Sequence, residues 1–156
     1  MKKVIALLLV YSAFLSVTYA QGPAKAAYVE IGGPGLASAN FDMRFANKEG
    51  GAGFRVGVGA FPVNGATVVT VPLGLNYLIG KNNKSYFEVG AGFTYLKISA
   101  KNHGTSKNFT SSFGNVTLGY RYAPAKGGFF FKAEVTPIFG SGFFLPFAGL
   151  GFGYKF

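Results

Sequence analysis

Between Ala27 and Phe156 the chain changes character at every second residue. The stretch from Thr67 to Ile79 shows this most cleanly. Val69, Val71, Leu73, Leu75, Tyr77 and Ile79 share one parity, and Thr70, Pro72, Gly74 and Asn76 share the other. Successive side chains of a β-strand point to opposite faces, so this is a strand with one greasy face and one lean face. The last stretch repeats the pattern: Phe144, Pro146, Ala148, Leu150, Phe152, Tyr154 and Phe156 alternate with Gly149, Gly151, Gly153 and Lys155.

The same alternation, punctuated by turn residues, marks six further strands. Around Ala27 to Gly32, Val29 and Ile31 oppose Tyr28 and Glu30; Gly33-Pro34-Gly35 then signals a turn. From Leu36 to Phe45, Ala37, Ala39, Phe41, Met43 and Phe45 oppose Ser38, Asn40, Asp42 and Arg44. Gly53 to Phe61 sets Phe54, Val56, Val58 and Ala60 against Arg55, Gly57 and Gly59, and Asn64-Gly65 is a hairpin dipeptide. Thr67 to Ile79 follows, with Pro72 hinting at a bulge because it has no donor for the ladder. Ser85 to Ile98, Phe109 to Tyr122 and Gly128 to Phe139 continue the series, and the polar stretch Ser99 to Asn108 reads as an external loop. With the closing strand the count is eight, if Ala27 to Phe45 is a hairpin and not one bulged strand.

The charges obey the same parity. Glu30, Asp42, Arg44, Arg55, Glu88, Arg121, Lys132, Glu134 and Lys155 all fall opposite the apolar face. An Arg or Lys facing lipid near the bilayer midplane costs about 2–4 kcal/mol, so a membrane-spanning barrel must segregate its charges in this way. These nine form a candidate lumen charge network, expected to fill a narrow interior with ion pairs. If both termini lie on one side, Phe45, Tyr77, Phe87, Tyr120, Tyr122 and Phe129, with Tyr154 and Phe156, fall at one rim. That is the arrangement of an interfacial aromatic girdle. Phe93, Tyr95, Phe139 and Phe144 supply a sparser one at the other rim.

Residues 1–20 read as a separate unit. Lys2 and Lys3 precede an uncharged apolar run from Val4 to Leu15, and Thr18 and Ala20 are small enough for a signal-peptidase site. The expected organisation is a signal peptide over 1–20 and a barrel over 21–156. The chain has no Cys, which excludes a disulfide framework and a lipoprotein anchor. Its 24 glycines and 17% aromatic residues suit a barrel whose apolar band faces lipid. Fifteen Lys and Arg face five acidic residues, but the basic residues are scattered singly, with no nucleic-acid motif. Anionic lipid head groups are the expected counterpart, and nucleic acid is not.

Little here suits catalysis. His103, the sole histidine, stands in the longest polar stretch near Ser106 with no acid beside it, and no other His or Cys completes a metal site. Glu88 and Glu134 are a possible carboxylate pair, but a filled lumen has no cleft for a substrate. The doublets Gly57-x-Gly59, Gly90-x-Gly92 and Gly149-x-Gly151-x-Gly153 lack the following helix of a phosphate loop and read as room for larger inner neighbours. No cofactor is expected.

The closing strand, the strand count, the girdle and the basic-apolar leader together resemble the small bacterial outer-membrane β-barrel proteins of the OmpA/OmpX type. The resemblance implies an all-β fold, an eight-stranded antiparallel up-and-down transmembrane β-barrel after an N-terminal signal peptide. It implies a monomer in the bacterial outer membrane with periplasmic termini, surrounded by outer-membrane lipid. It also implies that Leu150, Phe152, Tyr154 and Phe156 are read by barrel-insertion machinery. The implied role is non-enzymatic, structural or surface-interacting, although short outer loops weaken an adhesin reading. Two alternatives stand beside it: a narrow conduit for a small or hydrophobic solute, and a secreted lipocalin-like barrel with its apolar face turned inward around a ligand.

Overall fold

A computed structural model describes residues 22–63, 65–102 and 105–156. The leader 1–20, Asn64 and His103 lie outside the described residues. The strands are β1 (Lys25–Gly32), β2 (Ala37–Arg44), β3 (Gly51–Val63), β4 (Ala66–Ile79), β5 (Ser85–Asn102), β6 (Thr105–Tyr122), β7 (Gly128–Val135), β8 (Ile138–Gly140), β9 (Phe143–Leu145) and β10 (Ala148–Lys155). All neighbours are antiparallel. β1 bonds β10 and β5 bonds β6, so the sheet closes on itself.

β7 and β8 are two parts of one barrel strand, as are β9 and β10, which gives eight strands around the barrel. The two interruptions lie at one level. Val135 pairs Ala148 below the break and Ile138 pairs Leu145 above it, which sets Pro137 opposite Pro146. Beside them Thr136 N still donates to Phe147 O at 2.7 Å, while Pro137 O accepts from Val116 N on β6 at 3.1 Å, so the N–H that Pro137 lacks is missing from the β6 side. The register continues unchanged across the break. The alternation alone gave no sign of this break in the seventh and eighth strands.

Pro72 behaves differently from expectation. β3 and β4 bond at Val56–Leu73 and again at Gly59–Thr70, equal spacings on both strands. A bulge would add a residue to one side. The ladder therefore skips bridges beside Pro72 without a bulge, and the pairing of Pro72 with Thr94 on the other side is unbroken.

Residues 27–45 form a hairpin, with β1 paired to β2 through the glycine turn. The expected external loop from Ser99 to Asn108 is instead largely strand: β5 and β6 stay paired through Ser99–Asn108 and out to Asn102–Thr105. Among the described residues, β6 is paired on its β8 side only from Gly114 onward, so the outer part of this hairpin stands beyond the barrel with one open edge. The polar stretch is therefore mostly paired backbone, not an irregular loop. The expectation of short outer connections fails at this hairpin and holds for the other three, at 33–36, 64–65 and 141–142.

The strands are strongly staggered. Crossing the ladders from Ala27 leads through Phe41, Val56, Leu73, Phe93, Gly114 and Phe139 to Phe144. Ala27 itself pairs with Tyr154, ten residues further along. Eight strands with such stagger tilt by about 35–45° and leave an interior just wide enough for side chains.

Burial follows parity around the whole wall. Val29, Ile31, Leu75, Ile79, Phe87 and Phe144 are exposed on the outside, Ile31 at 74%, whereas Glu30, Arg44 and Lys132 are 1% exposed. Apolar out and charged in is the inverse of a lipocalin-like ligand barrel. The rim holding Lys25 and Lys155 also carries the turns at 45–50, 80–84 and 123–127, and is called here the terminus rim. The opposite, hairpin rim carries the other four connections.

Candidate functional site

Each strand face places its inner side chains by the same rule, and the register then decides which of them meet. All nine charged residues named from the sequence are buried inside the wall. Eight of them join into one network. Arg44 Nη2 lies 2.6 Å from Asp42 Oδ1. Arg121 spans Asp42 and Glu88: Nη1 donates to Asp42 Oδ1 at 2.9 Å, and Nε donates to Glu88 Oε2 at 2.8 Å. Lys132 Nζ lies 3.4 Å from Glu88 Oε1 and 2.5 Å from Glu134 Oε2. Arg55 Nη1 is 3.5 Å from both Glu134 Oε1 and Glu30 Oε1.

Four cations thus alternate with four carboxylates, and the net charge of the cluster is zero. A buried charge without such a partner is expensive, which is why the balance matters. Asn76 knits the cluster further, donating to Asp42 Oδ2 at 2.6 Å and to Glu88 Oε1 at 3.2 Å, and accepting from Arg44. The ninth residue, Lys155, is not in the cluster. It pairs with Glu49 at 2.7 Å near the terminus rim and donates to Ala125 O at 3.1 Å. The carboxylate pair considered from sequence, Glu88 with Glu134, is bridged by Lys132 and does not stand alone.

The network is roofed on both sides. Toward the terminus rim, Ala26, Tyr28, Leu78, Tyr86, Ala123 and Phe130 make a small buried apolar cluster. Tyr28 stacks on Phe130 with ring centroids 4.7 Å apart. The Arg121 guanidinium sits 5.3 Å from the Phe130 ring centre and Lys132 Nζ 5.6 Å from that of Tyr28, so the rings also face cations. Toward the hairpin rim the inner positions are Thr70, Thr94, Thr117, Asn115 and Thr136, all buried. There the β1–β2 turn folds inward: Thr94 Oγ1 donates to Pro34 O and Thr70 Oγ1 to Gly35 O, each at 2.8 Å.

The inner glycines explain how long side chains fit. Arg44 pairs with Gly53, Asn40 with Gly57, Arg55 with Gly74, Lys132 with Gly151 and Tyr28 with Gly153. Gly119 lies between Glu88 and Glu134. A Cβ at Gly53 would strike the Arg44 guanidinium, and one at Gly119 would lie 2.8 Å from Glu134 Cβ. Glycine therefore clears the space into which the partner strand's side chain lies down.

The exposed aromatics form two sets. Phe45, Tyr77, Phe87, Tyr120, Phe129, Tyr154 and Phe156 are exposed toward the terminus rim, with Tyr122 half-buried among them. Pairings such as Phe87–Tyr120 and Phe129–Tyr154 put them at matching heights. Phe93, Tyr95, Phe139 and Phe144 are exposed toward the hairpin rim. Leu150, Phe152, Tyr154 and Phe156 form one exposed stripe on the last strand.

Phe130 and Tyr86 were missed as inner residues. The run Phe129-Phe130-Phe131 hides the alternation, although its central member must face opposite to its neighbours. Among the described residues no group of three or more His, Cys, Asp or Glu is placed to hold a metal ion.

No protein-family model and no curated protein matches the sequence. Solved structures do. The N-terminal β-barrel domain of Pseudomonas aeruginosa OprF superposes with a TM-score of 0.65 at 18% identity, covering 87% of this chain and 98% of that one. Ail of Yersinia pestis, solved with the heparin analogue sucrose octasulfate, gives 0.57 at 12% identity, with 86% and 97% covered. Neisserial surface protein A gives 0.52 at 14% identity, with 87% and 95% covered. Closure, strand count, outward apolar face and these superpositions agree: the chain has the fold of the small eight-stranded outer-membrane β-barrels.

Proposed function

We propose that the chain is an integral outer-membrane barrel with periplasmic termini and a sealed lumen, and that its role is non-enzymatic. One observation carries the reading: the interior is filled by a charge-balanced network, with an aromatic cluster on one side and an inturned turn on the other. The opening that reaches Asp42 and Arg121 from the terminus rim has a volume of about 10 Å³, about the space of one water. Neither a substrate nor a hydrated solute passes through such a packing without breaking several ion pairs.

The part left to act is outside the wall. The β5–β6 hairpin runs past its pairing with β4, which ends at Ala100, and carries Phe109 in an exposed position on the part of β6 with the open edge. It supports a structural or surface-interaction role on the outer side. The exposed stripe Leu150, Phe152, Tyr154 and Phe156 fits recognition by insertion machinery, and the two aromatic sets fit the interfacial girdles of a spanning barrel.

The test is planar-bilayer conductance of the purified, folded protein. The sealed reading predicts no steady ohmic current above the bare bilayer. A reproducible single-channel conductance would replace it with the conduit reading.

A further inference from the structure

All five acidic side chains of the chain are held in ion pairs. Their partners are Arg44, Arg55, Arg121, Lys132 and Lys155, so the network consumes the acidic residues and leaves the remaining lysines unbalanced. Five of these stand at the terminus rim: Lys25 at the start of β1, Lys48 between β2 and β3, Lys81 and Lys84 between β4 and β5, and Lys126 between β6 and β7. All five are exposed, and none pairs with a carboxylate among the described residues. Every turn on this rim has at least one. The only acidic side chain on the rim, Glu49, is turned to Lys155 at 2.7 Å.

The ring lies against the aromatic belt. Lys48 follows Phe45, Lys81 follows Tyr77 and Ile79, Lys84 precedes Phe87, and Lys126 lies between Tyr122 and Phe129. A lysine one turn beyond an apolar band can lay its stem along that band and raise its ammonium to head-group level. We propose that the terminus rim is a binding surface for the phosphate groups of anionic phospholipids. The inference rests on the membrane-spanning reading above. It adds that this barrel selects its lipid neighbours at one rim, through lysines that the neutral lumen leaves uncompensated. Each lysine near an anionic surface contributes on the order of a fivefold preference.

The experiment uses the protein folded into phosphatidylcholine vesicles carrying trace spin-labelled phosphatidylglycerol or spin-labelled phosphatidylcholine. The motionally restricted fraction of each label measures its relative association. The proposal expects phosphatidylglycerol to be favoured by roughly fivefold or more, and expects the preference to shrink in high salt. The Lys48→Gln, Lys81→Gln, Lys84→Gln, Lys126→Gln variant should lose most of it, whereas Lys97→Gln, on the hairpin, should keep it. If the fourfold variant does not fold, the Lys81→Gln, Lys84→Gln pair carries the same test on one turn. Equal association of the two labels with the wild type would overturn the proposal, as would a preference unchanged in the variants. Displacement of the label by inorganic phosphate beyond that by sodium chloride of equal ionic strength would also overturn it, in favour of a free-phosphate site. Failure to insert into phosphatidylcholine at all would instead sink the membrane-spanning reading on which it stands.

Discussion

Arg121 grips Glu88 at two points, Nε to Oε2 and Nη2 to Oε1, both at 2.8 Å. The pair joins neighbouring strands β6 and β5, and the same guanidinium reaches across the lumen to Asp42 on β2. One side chain therefore ties three strands together at the centre of the barrel. Arg121→Met should leave the buried cluster one positive charge short, with Asp42 held by Arg44 and Glu88 by Lys132 alone, and lower stability by about 3–5 kcal/mol. Arg121→Lys keeps the charge but not the two-point grip, and should fall between. Denaturant unfolding in lipid vesicles checks both, and a variant as stable as the wild type would show that the network contributes nothing.

Gly119 sits between Glu88 and Glu134 on the inner face, and a Cβ there would approach Ala133 O and lie 2.9 Å from Glu134 Cα. Gly119→Ala should destabilise by about 1–3 kcal/mol through overpacking. Gly114 is the control, because the nearest atoms to its added Cβ are 3.9 Å away. Gly114→Ala should be neutral or slightly stabilising. Equal unfolding midpoints for the two variants would contradict the steric account of the inner glycines.

Pro137 stands opposite Pro146 where the pairing of the seventh and eighth barrel strands is interrupted, and the register is the same on both sides. Replacing both by valine restores two donors. Amide exchange around Ile138 and Ala148 should slow, while the cross-strand contacts of Phe139 with Phe144 and of Phe131 with Phe152 stay in place. A changed register, seen as new cross-strand contacts, would mean that the prolines set the alignment as well as the break.

The outer end of the β5–β6 hairpin should be dispensable to the barrel, since it is paired only within itself beyond Ala100. Replacing 101–106 by a two-residue Asn-Gly turn, which closes on the Ala100–Lys107 pair, should leave the stability within about 0.5 kcal/mol of wild type. A large loss would show that the hairpin stabilises the wall and is not free for surface work.

Period-two alternation was enough to mark the strands and their two faces, because each strand repeats one physical demand many times. That 27–45 is a hairpin, and that the apolar face is the outer one, came from the pairing and the burial. The nine charges could be put on one face by the same alternation. Who pairs with whom was not readable, because partners such as Asp42 and Arg121 come from distant strands and meet only once the register is fixed. Phe130 was hidden in a run of three phenylalanines, where both parities look apolar. The extent of β5 and β6 was hidden for the opposite reason: the successive residues Asn108, Phe109 and Thr110 are all exposed, so the two faces no longer differ and alternation fades although the backbone stays paired.

The most direct test of a closed barrel with lipid outside is its gel mobility in SDS after extraction from membranes, unheated against boiled. The filled, ladder-closed wall predicts a compact fast band that slows on heating. Recovery of the protein in the soluble fraction, with no shift on heating, would contradict the assignment of inside and outside.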